Sequence, residues 1–214
     1  VSGGKVPAVP PTSLMIDPAK HVKLFNGVLW RIFSTKNAHP AQWDELRHWG
    51  PAPEMRFDPH PPPARHHQGV GVMYTATSAN TAFAEVYQEY RVIDRDAEGP
   101  VIAAWSPSRT LHLLDLTSSW PVKNGAAASM MMDDKTNTQA WAQAIFEQFG
   151  GDLDGLYHQS SITNEVMVTL FTRAKVLSSF PQRPALWISL ADDQANWLVE
   201  DAAEELGSYE VVRV

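Results

Sequence analysis

The 214-residue sequence contains no cysteine. That absence removes disulfides, thiolate zinc sites, iron–sulfur clusters and every cysteine nucleophile, and it fits a reducing compartment. Basic residues are in the minority: 17 Lys and Arg stand against 24 Asp and Glu, a formal charge of −7. A chain of that sign gains little from releasing the counterions around phosphates, so nucleic acid is disfavoured as a partner. A few arginines gathered in a cleft would still make a local field for a small anion. No run approaches the roughly 20 apolar residues of a membrane span. The opening VSGGKVPAVPPTS has neither the basic start nor the apolar core of a signal peptide. The expectation is a cytoplasmic protein without membrane contact.

What is present is globular. Hydrophobic residues make up 44% and charged residues 19%, enough apolar material for a core without metal or disulfide staples. Residues 1–25 are expected to form a loosely structured leader, because the first 20 are rich in Pro, Gly and Ser. Residues 26–214 are expected to form a single domain, with a core over 26–180 and a C-terminal helix and strand within 185–214. Apolar runs predict strands at 28–33, 71–76, 101–105, 111–116, 155–158 and 165–171. Helical spacing predicts helices over 78–91, with Ala82, Phe83, Val86 and Tyr90 on the buried side, and over 138–149, with Trp141, Ile145 and Phe149 inward. Ser78 or Asn80 would cap the first. A further helix is expected over 192–206, its acidic residues on a solvated face, followed by a strand over 209–214. Residues 37–69 read as a long loop holding a short helix near 42–49, and long ordered loops are often functional. Met130–Met132 sits in a polar stretch and is expected to be exposed. Strands outnumber helices and are unevenly connected, which places the fold in the α+β class.

Common catalytic signatures are missing. Gly69-Val70-Gly71 lacks the third glycine of a dinucleotide fingerprint and precedes its strand. There is no Walker lysine loop, no Gly-x-Ser-x-Gly elbow and no His-Glu-x-x-His. His66 and His67 are adjacent, so on a regular element they point apart. No metal is implied.

Four segments carry the functional signal. They are Leu29-Trp30-Arg31-Ile32; Met55-Arg56-Phe57-Asp58; Val72-Met73-Tyr74-Thr75-Ala76 with Thr81-Ala82-Phe83-Ala84-Glu85-Val86; and Asp154-Gly155-Leu156-Tyr157-His158-Gln159-Ser160 before Val166–Phe171. Taken together over residues 26–180, they resemble the RES domain family, toxins of bacterial toxin–antitoxin pairs named for an Arg, a Glu and a Ser. Leu113-Leu114-Asp115-Leu116-Thr117 is similar to a further family strand. The chain departs from the family pattern at Met55 (Gly), Asp58 (Asn) and His158 (Tyr).

The resemblance implies an ADP-ribosyltransferase-like split mixed β-sheet with flanking helices around an NAD cleft. It implies NAD+ as a substrate rather than a bound cofactor, with water or phosphate as acceptor. It also implies a helix-turn-helix antitoxin that covers the cleft, and a homodimer within that complex. A protein ADP-ribosyltransferase and a non-catalytic nucleotide- or partner-binding module remain as alternatives. Glu85, Arg31 and Ser160 are the candidate catalytic residues, and Arg31, Arg56, Tyr74, Glu85, His158 and Ser160 the candidate NAD-binding residues. Glu85 would stabilise an oxocarbenium ion. Arg31 and Arg56 would hold diphosphate or ribose with planar forks. Tyr74 would stack on nicotinamide. Ser160 would orient ribose or Glu85, and His158 would touch the ligand or Glu85. Ser161 competes with Ser160, and Arg65 with Arg56. Each residue also has an ordinary reading: a solvated helix glutamate, a strand-face arginine, a core tyrosine, a turn serine.

Overall fold

The fold was obtained as a computed structural model, which describes residues 5–213. In chain order the elements are α1 (Pro18–His21), β1 (Val22–Phe25), β2 (Leu29–Ser34), β3 (Trp49–Gly50), β4 (Arg65–His66), β5 (Val72–Ala76), α2 (Ala79–Val86), β6 (Val92–Asp94), β7 (Pro100–Trp105) and β8 (Leu111–Asp115). They continue with α3 (Trp120–Lys123), α4 (Lys135–Phe149), β9 (Gly155–Gln159), β10 (Val166–Phe171), α5 (Thr172–Val176), β11 (Leu186–Ser189), α6 (Asn196–Leu206) and β12 (Glu210–Val212). Eight strands form one mixed sheet in the order β1-β8-β9-β10-β5-β2-β7-β11. Only β8 and β9 run parallel within it. The α+β class is therefore as expected.

The sheet is split at one joint. β5 pairs with β10 along its whole length and β2 pairs with β7 along its whole length. β2 and β5 share a single register pair, Trp30 with Ala76. Beyond that pair their facing edges part, and a cleft opens between them.

Side-chain alternation gives the sheet two faces. On one, α4 lays Trp141, Ala142 and Ile145 over Leu114, Leu156 and Phe171. Further along the same face, α2 and α6 lay Phe83, Leu198 and Ala202 over Ile32, Ala76 and Ile102. The other face buries Leu29, Phe33, Trp105, Val168 and Leu170 beneath Ala174, Trp43 and Phe180. The cleft therefore lies where the β2–β5 joint opens between α2 and the start of α4.

Several expectations are corrected. Residues 5–25 are not a loose leader. Val6 and Leu14 are buried in the core beside α4, Trp141 Nε1 donates to the Pro7 carbonyl, and β1 pairs with β8. Proline-rich text hides this because isolated apolar residues show no period. Residues 1–4 of that segment lie outside the described residues. The helix expected over 78–91 stops at Val86, because Val86 and Tyr90 are 50% and 79% exposed and nothing packs there to continue it. No helix forms over 42–49: Arg47 bridges to Val72 and Trp49–Gly50 pairs with Arg65–His66. Met130 and Met131 are buried in a 3-10 turn and only Met132 is exposed. The 192–206 helix begins with a separate 3-10 turn at Asp193–Ala195. The terminal strand is shorter than expected and pairs parallel with β6, and residue 214 lies outside the described residues.

Candidate active site

Glu85 is placed by a short helix with a firm start. Ser78 caps α2 by accepting the Thr81 N–H, the usual satisfaction of a free helix-end donor. Thr81 through Ala84 are buried, which fixes the rotation of the helix and leaves Glu85 half-buried at the cleft wall. Burial raises its carboxyl above the ordinary glutamate value. A hydrogen bond from Ser160 and the charges of Arg56 and Lys135 pull the other way.

Ser160 sits where β9 turns into β10. Its backbone N–H donates to the Glu165 carbonyl, and Asn164 N–H donates back to Ser160 O. Asn164 takes the left-handed conformation at φ 61°, which asparagine tolerates better than most residues. Ser160 Oγ accepts N–H groups from Ile162 and Thr163, so its own proton is directed to Glu85 Oε1 at 2.6 Å. Ser161 is exposed and lines the cleft, whereas Ser160 lies buried behind the lining and makes the bond to Glu85. The Asp154-Gly155 pair of the same segment anchors β9. Asp154 is buried and accepts from Arg109, Arg173 and His112 N. A Cβ at Gly155 would come within 2.0 Å of the Thr169 carbonyl oxygen, so only glycine fits.

Arg56 is aimed by a constrained loop. Phe57 holds φ 57° while fully buried, its ring 4.8 Å from that of His158. A bulky residue in that region costs roughly 1–3 kcal/mol and persists only where its surroundings over-determine it. Asp58 supplies the constraint. Fully buried, it accepts from Ala52 N, His60 N, the His60 ring and Arg47, and these bonds hold its carboxyl down at about 2 against the cost of burial. Gln139 on α4 donates to the carbonyls of Ala52 and Met55. Arg56 itself donates to the Asp133 carbonyl. Arg65 is exposed on β4 and does not line the cleft.

Tyr74 shares the α2 face of β5 with Ala76 and lines the cleft. Its hydroxyl is buried without a hydrogen-bond partner, and burial raises its pKa. His158 does not reach Glu85. Its Nε2 faces Thr169 Oγ1 at 2.9 Å and its Nδ1 faces the Gln159 carbonyl at 3.2 Å. Burial, with the Arg56 charge adding to it, lowers its pKa to about 4, so at neutral pH it is an uncharged wall residue.

Arg31 departs furthest from its expected place. Alternation along β2 sets it with Leu29 and Phe33, on the face opposite Tyr74. Its Nη1 carries hydrogen bonds to three loop carbonyls, those of Gln42, Trp43 and Glu45. Burial lowers its pKa to about 10. It lines the cleft and through Nη1 ties the 42–45 loop to the sheet.

Glu85, Arg56, Tyr74 and His158 all line one cleft of about 850 Å³, a size suited to a dinucleotide-scale ligand. Arg47, Asp58, Gln139 and Lys135 also shape it. No motif flagged them, apart from the Asp58 departure, because their partners are distant in sequence. Among the described residues no helix is long and apolar enough to cross a membrane.

No curated protein matches the sequence significantly. Among solved structures, a chain of the crystal structure of the M. tuberculosis MbcT–MbcA toxin–antitoxin complex superposes with a TM-score of 0.52. It is 14% identical, and the match covers 79% of this chain and 87% of that one. At that identity the likeness is one of fold, and it agrees with the split mixed sheet and flanking helices described above. The family model for the RES domain matches residues 28–191, a span that contains the β2–β5 joint, Arg56, Tyr74, Glu85 and Ser160, and the chain belongs to the RES-domain family.

Proposed function

We propose that this chain is the toxin of a toxin–antitoxin pair and that it cleaves NAD+ at the nicotinamide–ribose bond. The observation that carries this reading is the 2.6 Å hydrogen bond by which buried Ser160 holds Glu85 in the wall of a cleft that Arg56 and Tyr74 also line. Most glycosidases need two carboxyl groups, because the leaving oxygen must be protonated. Nicotinamide is already cationic in NAD+. When the C–N bond breaks, its electron pair returns to the ring nitrogen and the base leaves neutral. The positive charge passes to the ribose. One carboxylate fixed beside the sugar then suffices, and electrostatic stabilisation of this kind is often the largest catalytic term.

Glu85 is that carboxylate. Ser160 holds it by one oxygen and leaves the other for the sugar. Arg56 supplies positive charge for the diphosphate. Tyr74 offers a ring face to the cationic base. Water or phosphate adds its oxygen to the anomeric carbon, giving ADP-ribose with a proton released, or ADP-ribose carrying a phosphate on that carbon. The likeness to a chain from a toxin–antitoxin complex supports a protein partner that covers the cleft, a helix-turn-helix antitoxin by the family resemblance. A cytoplasmic setting, where NAD+ is abundant, belongs to the same reading.

The test is purified protein with NAD+, with and without phosphate, following nicotinamide and the second product. Nicotinamide release that Glu85→Gln abolishes supports the reading. ADP-ribose found on a protein by intact mass would make the chain a transferase, and binding without nicotinamide release would make it a binding module.

A further inference from the structure

A second carboxylate lies outside the cleft lining yet is wired to it. Glu165 Oε2 accepts a hydrogen bond from Ser78 Oγ at 2.5 Å and another from Thr81 Oγ1 at 2.6 Å. Both donors belong to the start of α2, whose last turn carries Glu85. Thr81 and Glu85 are four residues apart, on one side of the helix.

The hydroxyl protons in this group have only one consistent arrangement. Ser78 Oγ already accepts the Thr81 N–H and donates to Glu165. Thr81 Oγ1 donates to Glu165 and therefore accepts from Thr163 Oγ1, 3.0 Å away. Thr163 Oγ1 in turn accepts the Glu165 N–H at 3.3 Å. The two hydrogen bonds hold the Glu165 carboxyl below the ordinary glutamate value, and charge-assisted bonds of this kind are about twice as strong as neutral ones.

The contacts close a ring. Glu165 and Ser160 are the two ends of the β9–β10 turn, joined by Ser160 N–H to Glu165 O at 2.8 Å. Thr81 grips one end of the turn and Glu85 grips the other. We propose that Glu165 is a positioning residue for the active site: its carboxylate clamps α2 to the β9–β10 turn and so sets the distance between Glu85 and Ser160. The catalytic meaning of the clamp rests on Glu85 being the reacting carboxylate; the clamp itself does not.

Two variants separate this role from a general loss of fold. Glu165→Gln keeps an oxygen that accepts both hydroxyls, whereas Glu165→Ala keeps none. The first readout is the titration of the Glu85 carboxyl by carbon-13 NMR, assigned by its loss in Glu85→Gln. In Glu165→Ala the loosened Ser160 bond should move the Glu85 midpoint upward, and in Glu165→Gln it should stay near wild type. The second readout is nicotinamide release. Glu165→Ala should lower kcat by about 10- to 100-fold, the scale of a small misplacement of a catalytic group, with KM within about twofold. Glu165→Gln should restore most of it. Thr81→Val, which removes one grip while preserving bulk, should fall between them. An unchanged Glu85 midpoint in Glu165→Ala, or a Glu165→Gln as impaired as the alanine variant, overturns the proposal. If wild-type protein releases no nicotinamide, the functional reading fails while the titration still decides the clamp.

Discussion

The two walls of the cleft are built on different principles. The α2 wall is short and local: an eight-residue helix, a tight turn and a set of hydroxyl and carboxylate hydrogen bonds bring Glu85 to Ser160. The opposite wall is a long segment of little regular structure, held by buried charge. Asp58 gathers two backbone N–H groups, the His60 ring and Arg47, and so holds strained Phe57 and aims Arg56. The α2 wall needs a fixed distance, which rigid elements supply. The loop wall needs a charge of adjustable reach, which a pinned loop supplies. Breaking a charge-held wall should cost stability first, and breaking a hydrogen-bonded wall should cost rate first.

Asp58→Ala tests the loop wall and should have the largest effect. Removing one partner from a buried ionic group typically costs about 3–5 kcal/mol, because Arg47 and the His60 ring are left without their acceptor. Chemical denaturation should show that loss, and NAD+ titration should show a raised KM as Arg56 loses its aim. The pH dependence has a definite sign. Against the cost of burial, hydrogen bonds and Arg47 hold the folded Asp58 carboxyl at about 2, below the ordinary aspartate value of 3.8. Its stabilising contribution is therefore complete above that ordinary value and fades as pH falls toward about 2. A variant as stable as wild type at neutral pH would show that the loop wall is not charge-held.

Glu85→Gln tests the other wall. Nicotinamide release should fall by at least ~10²-fold, the scale of a lost electrostatic stabiliser. Stability should move the opposite way. Burial raises the folded carboxyl of Glu85, so its ionised form is disfavoured by folding, and that cost is present above its folded pKa. The neutral amide relieves it while still accepting from Ser160. Thermal unfolding of this variant should therefore show a Tm above that of wild type. A fall in both rate and Tm would show that the carboxylate is structural.

The two walls were also unequally legible in the sequence. The α2 wall was readable because its parts are local: an apolar strand, a capping serine, a helical stripe and a glutamate at its edge. The pairing of Ser160 with Glu85 was suggested only by the family likeness, since 75 residues separate them. The loop wall was largely opaque. Asp58 showed only as a departure from a motif, and Arg47, His60 and Gln139 carried no pattern, because a buried ion cluster is defined by three-dimensional contact. Arg31 is a third case. An arginine in an apolar strand is expected to have a partner, but the sequence does not say on which face. Alternation with Leu29 and Phe33 was visible, whereas the face those residues take was decided by Trp43 and Phe180 packing against them.

Ser160→Ala gives a smaller and more diagnostic effect. The hydroxyl lowers the Glu85 carboxyl, so its removal should shift the acidic limb of the kcat/KM profile to higher pH. Near neutrality the loss should be about 10-fold, in line with one charge-assisted hydrogen bond. An acidic limb that stays in place would mean that Ser160 acts on the ligand and not through Glu85.

The smallest expected effect lies at the seam of the two walls, where His158 touches Phe57 from the loop and Thr169 from β10. Burial lowers its pKa from 6.5 to about 4. Above its unfolded value both states are neutral and the ring costs nothing. As pH falls below 6.5 the unfolded chain takes up a proton that the folded protein refuses, and stability drops until the folded ring also protonates near pH 4. The loss at pH 6 should be roughly 1 kcal/mol relative to pH 8, or about 2–4 °C in Tm. His158→Gln should remove that part of the slope, although its absolute Tm falls with the lost ring contact. The readout is therefore the difference between the two slopes, measured by thermal unfolding at both pH values. If the slopes are equal, the seam is wet, and the walls meet through solvent rather than through a packed imidazole.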